Sequence, residues 1–272
     1  DGPEFTIVSL NEEHGRIQCA DGAAPAVGTL LRIIPNHACV VSNMVGRNQD
    51  DLYADLDAVP GEPLLQIEHL VVADPDSPGR LAVRDVTFDV RAGAVVGVFG
   101  LMGAGRTELL ETLAGRHRAL AGRIVLDGEE LSRKDVKQRI ASGLILVPED
   151  RQRDGLVQSL TIGRNIGLAS VARFIRNGVV QARSQRAEAT EIAGQVRLKM
   201  SGLDAPIGSL SGGNQQKVVI AKALMTEPRV VVLDEPTRGI DVGAKADIFT
   251  LMAQQARQGR SVLFATSEVS EV

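Results

Sequence analysis

A glycine-rich octet, Gly100 to Thr107 (GLMGAGRT), lies between the apolar run Val95 to Phe99 and a stretch of helical character, Glu108 to Leu113. Strand, glycine loop and helix in that order are the setting of a phosphate-binding loop. Gly100, Gly103 and Gly105 let backbone N–H groups turn inward and approach an anion closely. The helix that follows adds its N-terminal dipole to the same target. Thr107 offers a hydroxyl to a divalent cation, whereas Arg106 stands where the usual G-x-x-x-x-G-K-[ST] pattern has lysine.

Two further motifs fit this loop. Arg229 to Glu235 (RVVVLDE) is an apolar run that ends in two carboxylates. Such a run reads as a strand buried in a parallel sheet, with its acids at the carboxyl end where ligands bind. Asp234 is suited to hold Mg²⁺ as a hard oxygen ligand, and Glu235 to polarise an attacking water as general base. Leu210 to Lys217 (LSGGNQQK) opens a helix on which Val218, Ala221, Leu224 and Met225 recur at helical spacing. Ser211 is placed to cap that helix, and Gly212 and Gly213 expose N–H groups to an anion.

The intervening chain supplies the scaffold. Leu64 to Val72 and Leu81 to Val90 alternate as half-buried strands and form an antiparallel element ahead of the loop. Leu144 to Val147, Arg229 to Leu233 and Ser261 to Ala265 read as parallel strands separated by helical stretches, the alternation of an α/β core. Thr161 to Val171 reads as helical, and Arg183 to Val196 as a charged, solvated helix. Composition narrows the function classes. A net charge of −4 and 3% aromatic residues, without Trp, argue against nucleic acid as a partner. Two cysteines are too few for a disulfide scaffold and suit a reducing compartment. The sequence has no apolar run of the roughly 18 residues that a membrane-spanning helix needs.

The order of phosphate loop, Leu-Ser-Gly-Gly and apolar run with Asp-Glu resembles that of ATP-binding cassette (ABC) ATPases, over residues 64–272. Together with Pro148 to Gly155 (PEDRQRDG) and Asp234 to Asp241 (DEPTRGID), these motifs are similar to the second cassette of bacterial monosaccharide importers of the ribose, galactose and xylose type. The resemblance implies a P-loop NTPase cassette with a parallel core, an antiparallel β subdomain and a helical subdomain. It implies ATP and Mg²⁺ as ligands, with Gly100, Gly103, Gly105, Arg106 and Thr107 at the nucleotide. Ser211, Gly212 and Gly213 would complete the site of a partner cassette, and Asp241 is implied as a further nucleotide-binding residue. It implies a membrane permease docked near Thr161 to Val171, a periplasmic sugar-binding protein as an indirect partner, and a place on the cytoplasmic face of the membrane. The chain departs from the family pattern at Arg106, at Glu149 in the glutamine position, at Ser267 in the histidine position, and in having no aromatic around Pro78 to Ala82. These departures lead to the expectation of a site that binds ATP and hydrolyses it slowly or not at all unaided.

Residues 1–58 read differently. Thr6 to Leu10 and Arg16 to Ala20 look like a hairpin, and Val27 to Pro35 like a further strand. His37 and Cys39 lie two apart and share one face of an extended strand, a pair suited to zinc. A zinc site needs three or four ligands, so both also read as ordinary strand residues, with His14 and Cys19 as possible additions. Thr29 to Asn43 resembles the C-terminal β-domain of the D-threonine aldolase and D-serine dehydratase-like family, which joins pyridoxal phosphate to a metal. The barrel carrying the Schiff-base lysine is missing, so no lyase activity is expected. Asp50 to Pro63 is acidic, ends in Pro-Gly-Glu-Pro and reads as a linker, with the boundary at 59–63. The absence of an initiator Met and the stop at Val272, just past the switch region, suggest a fragment with a sheet edge or helix left uncovered. Other readings are a nucleotide-dependent regulatory module without significant turnover, a chimera without function, and a metal-dependent lyase-type role for the first segment.

Overall fold

The computed structural model describes residues 61–101, 103–268 and 271, together with the backbone of 5–10 and 15–19. Strands β1 (Phe5–Leu10) and β2 (Gly15–Cys19) pair antiparallel, as a hairpin should. His14, His37 and Cys39, and the strand expected at Val27 to Pro35, lie outside the described residues.

The next described strand is β3 (Pro63–Ala73), so the last residue of the expected linker is already strand. β3 pairs antiparallel with β4 (Leu81–Arg91), and β5 (Val95–Phe99) leads into the glycine loop. Then come α1 (Arg106–Ala114), β6 (Ala121–Leu126), β7 (Glu129–Glu130), α2 (Val136–Ala141) and β8 (Leu144–Val147). The helical region holds α3 (Ile162–Gly167), a 3₁₀ stretch (Leu168–Phe174), the small hairpin β9 (Ile175–Arg176) and β10 (Val179–Val180), and α4 (Ala182–Gln195). α5 (Gly212–Leu224), β11 (Val230–Asp234), α6 (Val242–Arg257) and β12 (Ser261–Thr266) complete the order.

Two sheets make the core among the described residues. One is parallel, in the order β5-β12-β11-β8, and the other antiparallel, in the order β4-β3-β6-β7. β11 is buried along its whole length because its Val and Leu side chains leave it on both faces. Val231 and Leu233 point, with Ile145, Val147, Val262 and Phe264, into a cluster closed by Val218 and Val219 of α5 and Ile248 and Leu251 of α6. Val230 and Val232, with Leu144, Leu263 and Ala265, point the other way, onto Leu109 and Leu113 of α1 and onto Leu65, Ile67 and Ile124 of the antiparallel sheet. That alternation is the period of two expected of a strand. Each such Val or Leu contributes about 1.5–3 kcal/mol by burial.

Three local readings are refined. β6 has no sequence counterpart in the motifs above. Its outer half (Ala-Gly-Arg) is polar and exposed, and Gly122 sits at φ 96 where an added Cβ would lie 2.5 Å from the His69 carbonyl oxygen. The helical stretch from Thr161 tightens into a 3₁₀ segment after Gly167. α4 is solvated on one face only, since Ala189, Ile192 and Ala193 are buried.

Candidate functional site

Strand register decides what can meet. Phe99 pairs with Thr266, and Asp234 with Ala265. The carboxyl ends of β5, β12 and β11 are therefore neighbours, the edge at which ligands bind in open α/β sheets. The glycine loop leaves β5 here. Asp234 and Glu235 end β11, and Ser267, exposed, follows β12. The Glu235 amide donates to the Ala265 carbonyl at 3.0 Å, which ties the two strand ends together.

The loop is shaped by glycine. Gly105 holds φ 84 at the N-terminal end of α1, and a Cβ there would lie 2.1 Å from the Ala82 carbonyl oxygen of β4. No side chain fits that approach. α1 is anchored at its other end by the buried Arg139, whose Nη1 donates to the Thr112 and Leu113 carbonyls at 2.6 and 2.7 Å. Burial pushes the Arg139 guanidinium down to about 10.

Arg106 does not project into open solvent. Its Nη1 donates to Glu235 Oε1 at 2.6 Å, and both side chains are more than nine-tenths buried. Beside this pair lies Asp234, 2% exposed, with no hydrogen-bond partner for its Oδ1. Burial pushes the Asp234 carboxyl up to about 6, and the Thr107 hydroxyl hydrogen-bonding to it pulls the other way. An orphaned carboxylate oxygen next to a threonine hydroxyl is the donor set of a hard cation that completes its shell with phosphate and water oxygens. No group of three His, Cys, Asp or Glu side chains among the described residues could hold a metal by itself.

Glu149 follows β8 and forms an ion pair with Arg238, in the loop after β11. Ser211 occupies the N-cap of α5, yet its hydroxyl makes no capping bond and accepts instead from Asn214 Nδ2 at 3.0 Å. Gly212 and Gly213 abut a second loop. An added Cβ on Gly212 would meet Arg151 Nη2 at 2.8 Å, and one on Gly213 would meet Ala244 Cβ at 2.7 Å. Arg151 donates to the carbonyls of Arg238 and Gly239 at 3.0 and 3.3 Å, and Asp241 caps α6 through the Ala244 amide at 2.9 Å. Lys217 of α5 is buried and reaches Asp247 of α6 at 2.6 Å.

The structure thus makes two groups of the expected residues. Gly100, Gly103, Gly105, Arg106, Thr107, Asp234, Glu235 and Ser267 share the strand edge, while Ser211, Gly212, Gly213 and Asp241 gather where α5 and α6 begin. Residues given no role by the sequence motifs join them. Arg151 stands in the run Pro148 to Gly155, where its charge among acids was the available signal. Glu271 is buried. Its Oε2 accepts from Thr237 and Thr266 at 2.9 and 2.6 Å, and Lys245 lies 3.2 Å from Oε1. No spacing rule flags it.

Comparisons with known proteins agree with this geometry. The serine dehydratase domain matches residues 1–48. The xylose import ATP-binding protein of Moorella thermoacetica is 40% identical over 247 residues, 90% of this chain and 49% of that protein. The ribose import ATP-binding protein of Chromobacterium violaceum is 43% identical over 233 residues, 86% of this chain and 45% of that protein. The chain spans about half the length of the curated relatives it matches. Among solved structures, an ATP-binding cassette bound to ADP and Pi after hydrolysis superposes with a TM-score of 0.66 at 21% identity, covering 76% of this chain and 89% of that one. A bacterial ABC transporter cassette in dimeric form gives 0.65 at 22%, with the same coverage. The ABC transporter family matches residues 83–238, a stretch that holds the glycine loop, the Leu-Ser-Gly-Gly helix start and the Asp-Glu strand end, and this chain belongs to that family.

Proposed function

We propose that residues 64–272 form an ATP-binding cassette that works in a carbohydrate importer and couples ATP binding and hydrolysis to monosaccharide uptake. The observation that carries this is the strand edge at which the glycine loop, Thr107 and the orphaned Asp234 oxygen meet. Relatives named for xylose and ribose import support the substrate class. The loop amides and the α1 dipole bind the phosphates, and Arg106 adds a cation to them. Thr107 and Asp234 would hold Mg²⁺, which would supply charge neutralisation at the phosphates. Glu235 orients the attacking water and accepts its proton. Ser211, Gly212 and Gly213 present the α5 N-terminus to nucleotide held by a second cassette. The cassette sits on the cytoplasmic face of the membrane against a permease, and through it acts with a periplasmic sugar-binding protein.

A second reading, a nucleotide-binding module with negligible turnover, is favoured by one observation: Arg106 and Glu235 already neutralise each other. One experiment separates the two. ATP binding to the full chain is titrated with and without Mg²⁺, in wild type and Asp234→Asn, and phosphate release is followed in the same samples. Mg²⁺ is expected to tighten ATP binding at least about tenfold in wild type and far less in Asp234→Asn. No ATP binding sinks both readings. Mg²⁺-dependent binding without phosphate release leaves the second.

A further inference from the structure

We infer that Glu235 sets the nucleotide affinity of the phosphate loop by competing with phosphate for Arg106. This gives Glu235 a role besides that toward water, and it rests on the nucleotide reading above.

The geometry gives three reasons. First, the contact is close and dry: Nη1 to Oε1 is 2.6 Å, with side-chain exposures of 8% and 9%. A charge-assisted hydrogen bond shielded from water is among the stronger polar contacts in a protein. Second, the residue types suit it. Arginine carries its donors on a long planar fork and stays charged, so it can span from the first turn of α1 to the end of β11 and still have donors left over. The same fork fits phosphate oxygens equally well, so carboxylate and phosphate are rival ligands of one group. Third, the surroundings resist a loose compromise. Gly105 is pressed against the Ala82 carbonyl, and Gly100 packs on the Arg106 side chain, with an added Cβ only 3.1 Å from Cδ. The Glu235 backbone is held by the Ala265 carbonyl. The backbones on both sides of the pair are fixed, so the exchange takes place through rotation of the Arg106 fork.

Phosphate that draws Arg106 away leaves Glu235 without its counter-ion beside Asp234. That cost subtracts from affinity until a cation arrives next to Thr107 and Asp234. Nucleotide and cation therefore bind in concert, and a phosphate chain with more charge displaces Glu235 more readily than one with less.

The test uses ADP with Mg²⁺, so that no turnover intervenes, and isothermal titration of the full chain in four forms: wild type, Glu235→Gln, Arg106→Ala and the double variant. Glu235→Gln keeps the shape and removes the competing charge. It is expected to tighten ADP binding by about tenfold or more in the Arg106 background, and by less than about threefold when Arg106 is Ala. Arg106→Met, which keeps the length of the stem and removes the charge, serves in place of Ala if that variant does not fold. An equal gain in both backgrounds means a general field effect of one carboxylate fewer and overturns the inference. No gain in either background also overturns it while leaving the nucleotide reading intact. Failure of all four forms to bind ADP removes the nucleotide reading, and this inference with it.

Discussion

At the start of α1 the charged groups face one another, whereas at the start of α5 they are spent on backbone. Arg106 and Glu235 are buried as a pair, with Asp234 beside them lacking a partner for one oxygen. At α5, Arg151 donates to two main-chain carbonyls, Asp241 caps α6 through an amide, and Ser211 is exposed. The first end has to rearrange before it receives an anion. The second already presents its N–H groups. If, as proposed, nucleotide lies between one chain's glycine loop and another's Leu-Ser-Gly-Gly, this chain would bring one end whose charges are already paired and another whose amides make no side-chain capping bond. On that proposal, low turnover at the first would be compatible with full service at the second.

The sharpest way to break that contrast is to remove one charge of the buried pair. Arg106→Met leaves Glu235 buried and uncompensated, and urea unfolding should show a loss of about 3–5 kcal/mol. Adding Glu235→Gln should recover a large part of it. A loss under about 1 kcal/mol would mean that the pair is solvated and the phosphate-loop end is as open as the other.

The next effect is the pH dependence of Asp234. Burial in the folded state pushes its carboxyl up to about 6 from an ordinary aspartate value of 3.8. The folded state therefore holds its proton more tightly, so stability is greatest below pH 4 and falls as pH rises to 6. The change is on the order of 3 kcal/mol. The difference in unfolding free energy between wild type and Asp234→Asn, followed from pH 4 to 7, should shift by that amount in favour of Asn. A flat difference would place Asp234 in water.

The smallest effect tests the α5 end. Gly212→Ala pushes a Cβ into the far end of the Arg151 side chain, which can move aside, so the expected cost is about 1 kcal/mol and a few degrees of melting temperature. Collapse of the fold would show that this end is as tightly packed as the Gly105 approach to β4.

Much of the fold was legible because it is written locally. The run Val230 to Leu233 can only be an interior strand, and a glycine octet after an apolar strand sets both loop and helix. Thr107, Asp234 and Glu235 stand out as candidates for the same reason, and strand register brings them to one edge. What escaped is what depends on register. Arg106 and Glu235 are 129 residues apart, and each was assigned to an outside ligand, phosphate or water. Only the pairing of β11 with β12, and β12 with β5, brings them to one another. Ser211 has the composition of a capping residue, but Asn214 competes for its hydroxyl. Glu271 carries no motif, and its burial follows from the placement of Thr237, Thr266 and Lys245 around it.

Glu271 makes a single mechanical part of two loops. One carboxylate oxygen joins the segment after Glu235 to the segment before Ser267, and Lys245 bolts both to the first turn of α6, just past Asp241. Three segments of the chain thus share one buried carboxylate, and removing it would loosen all three at once.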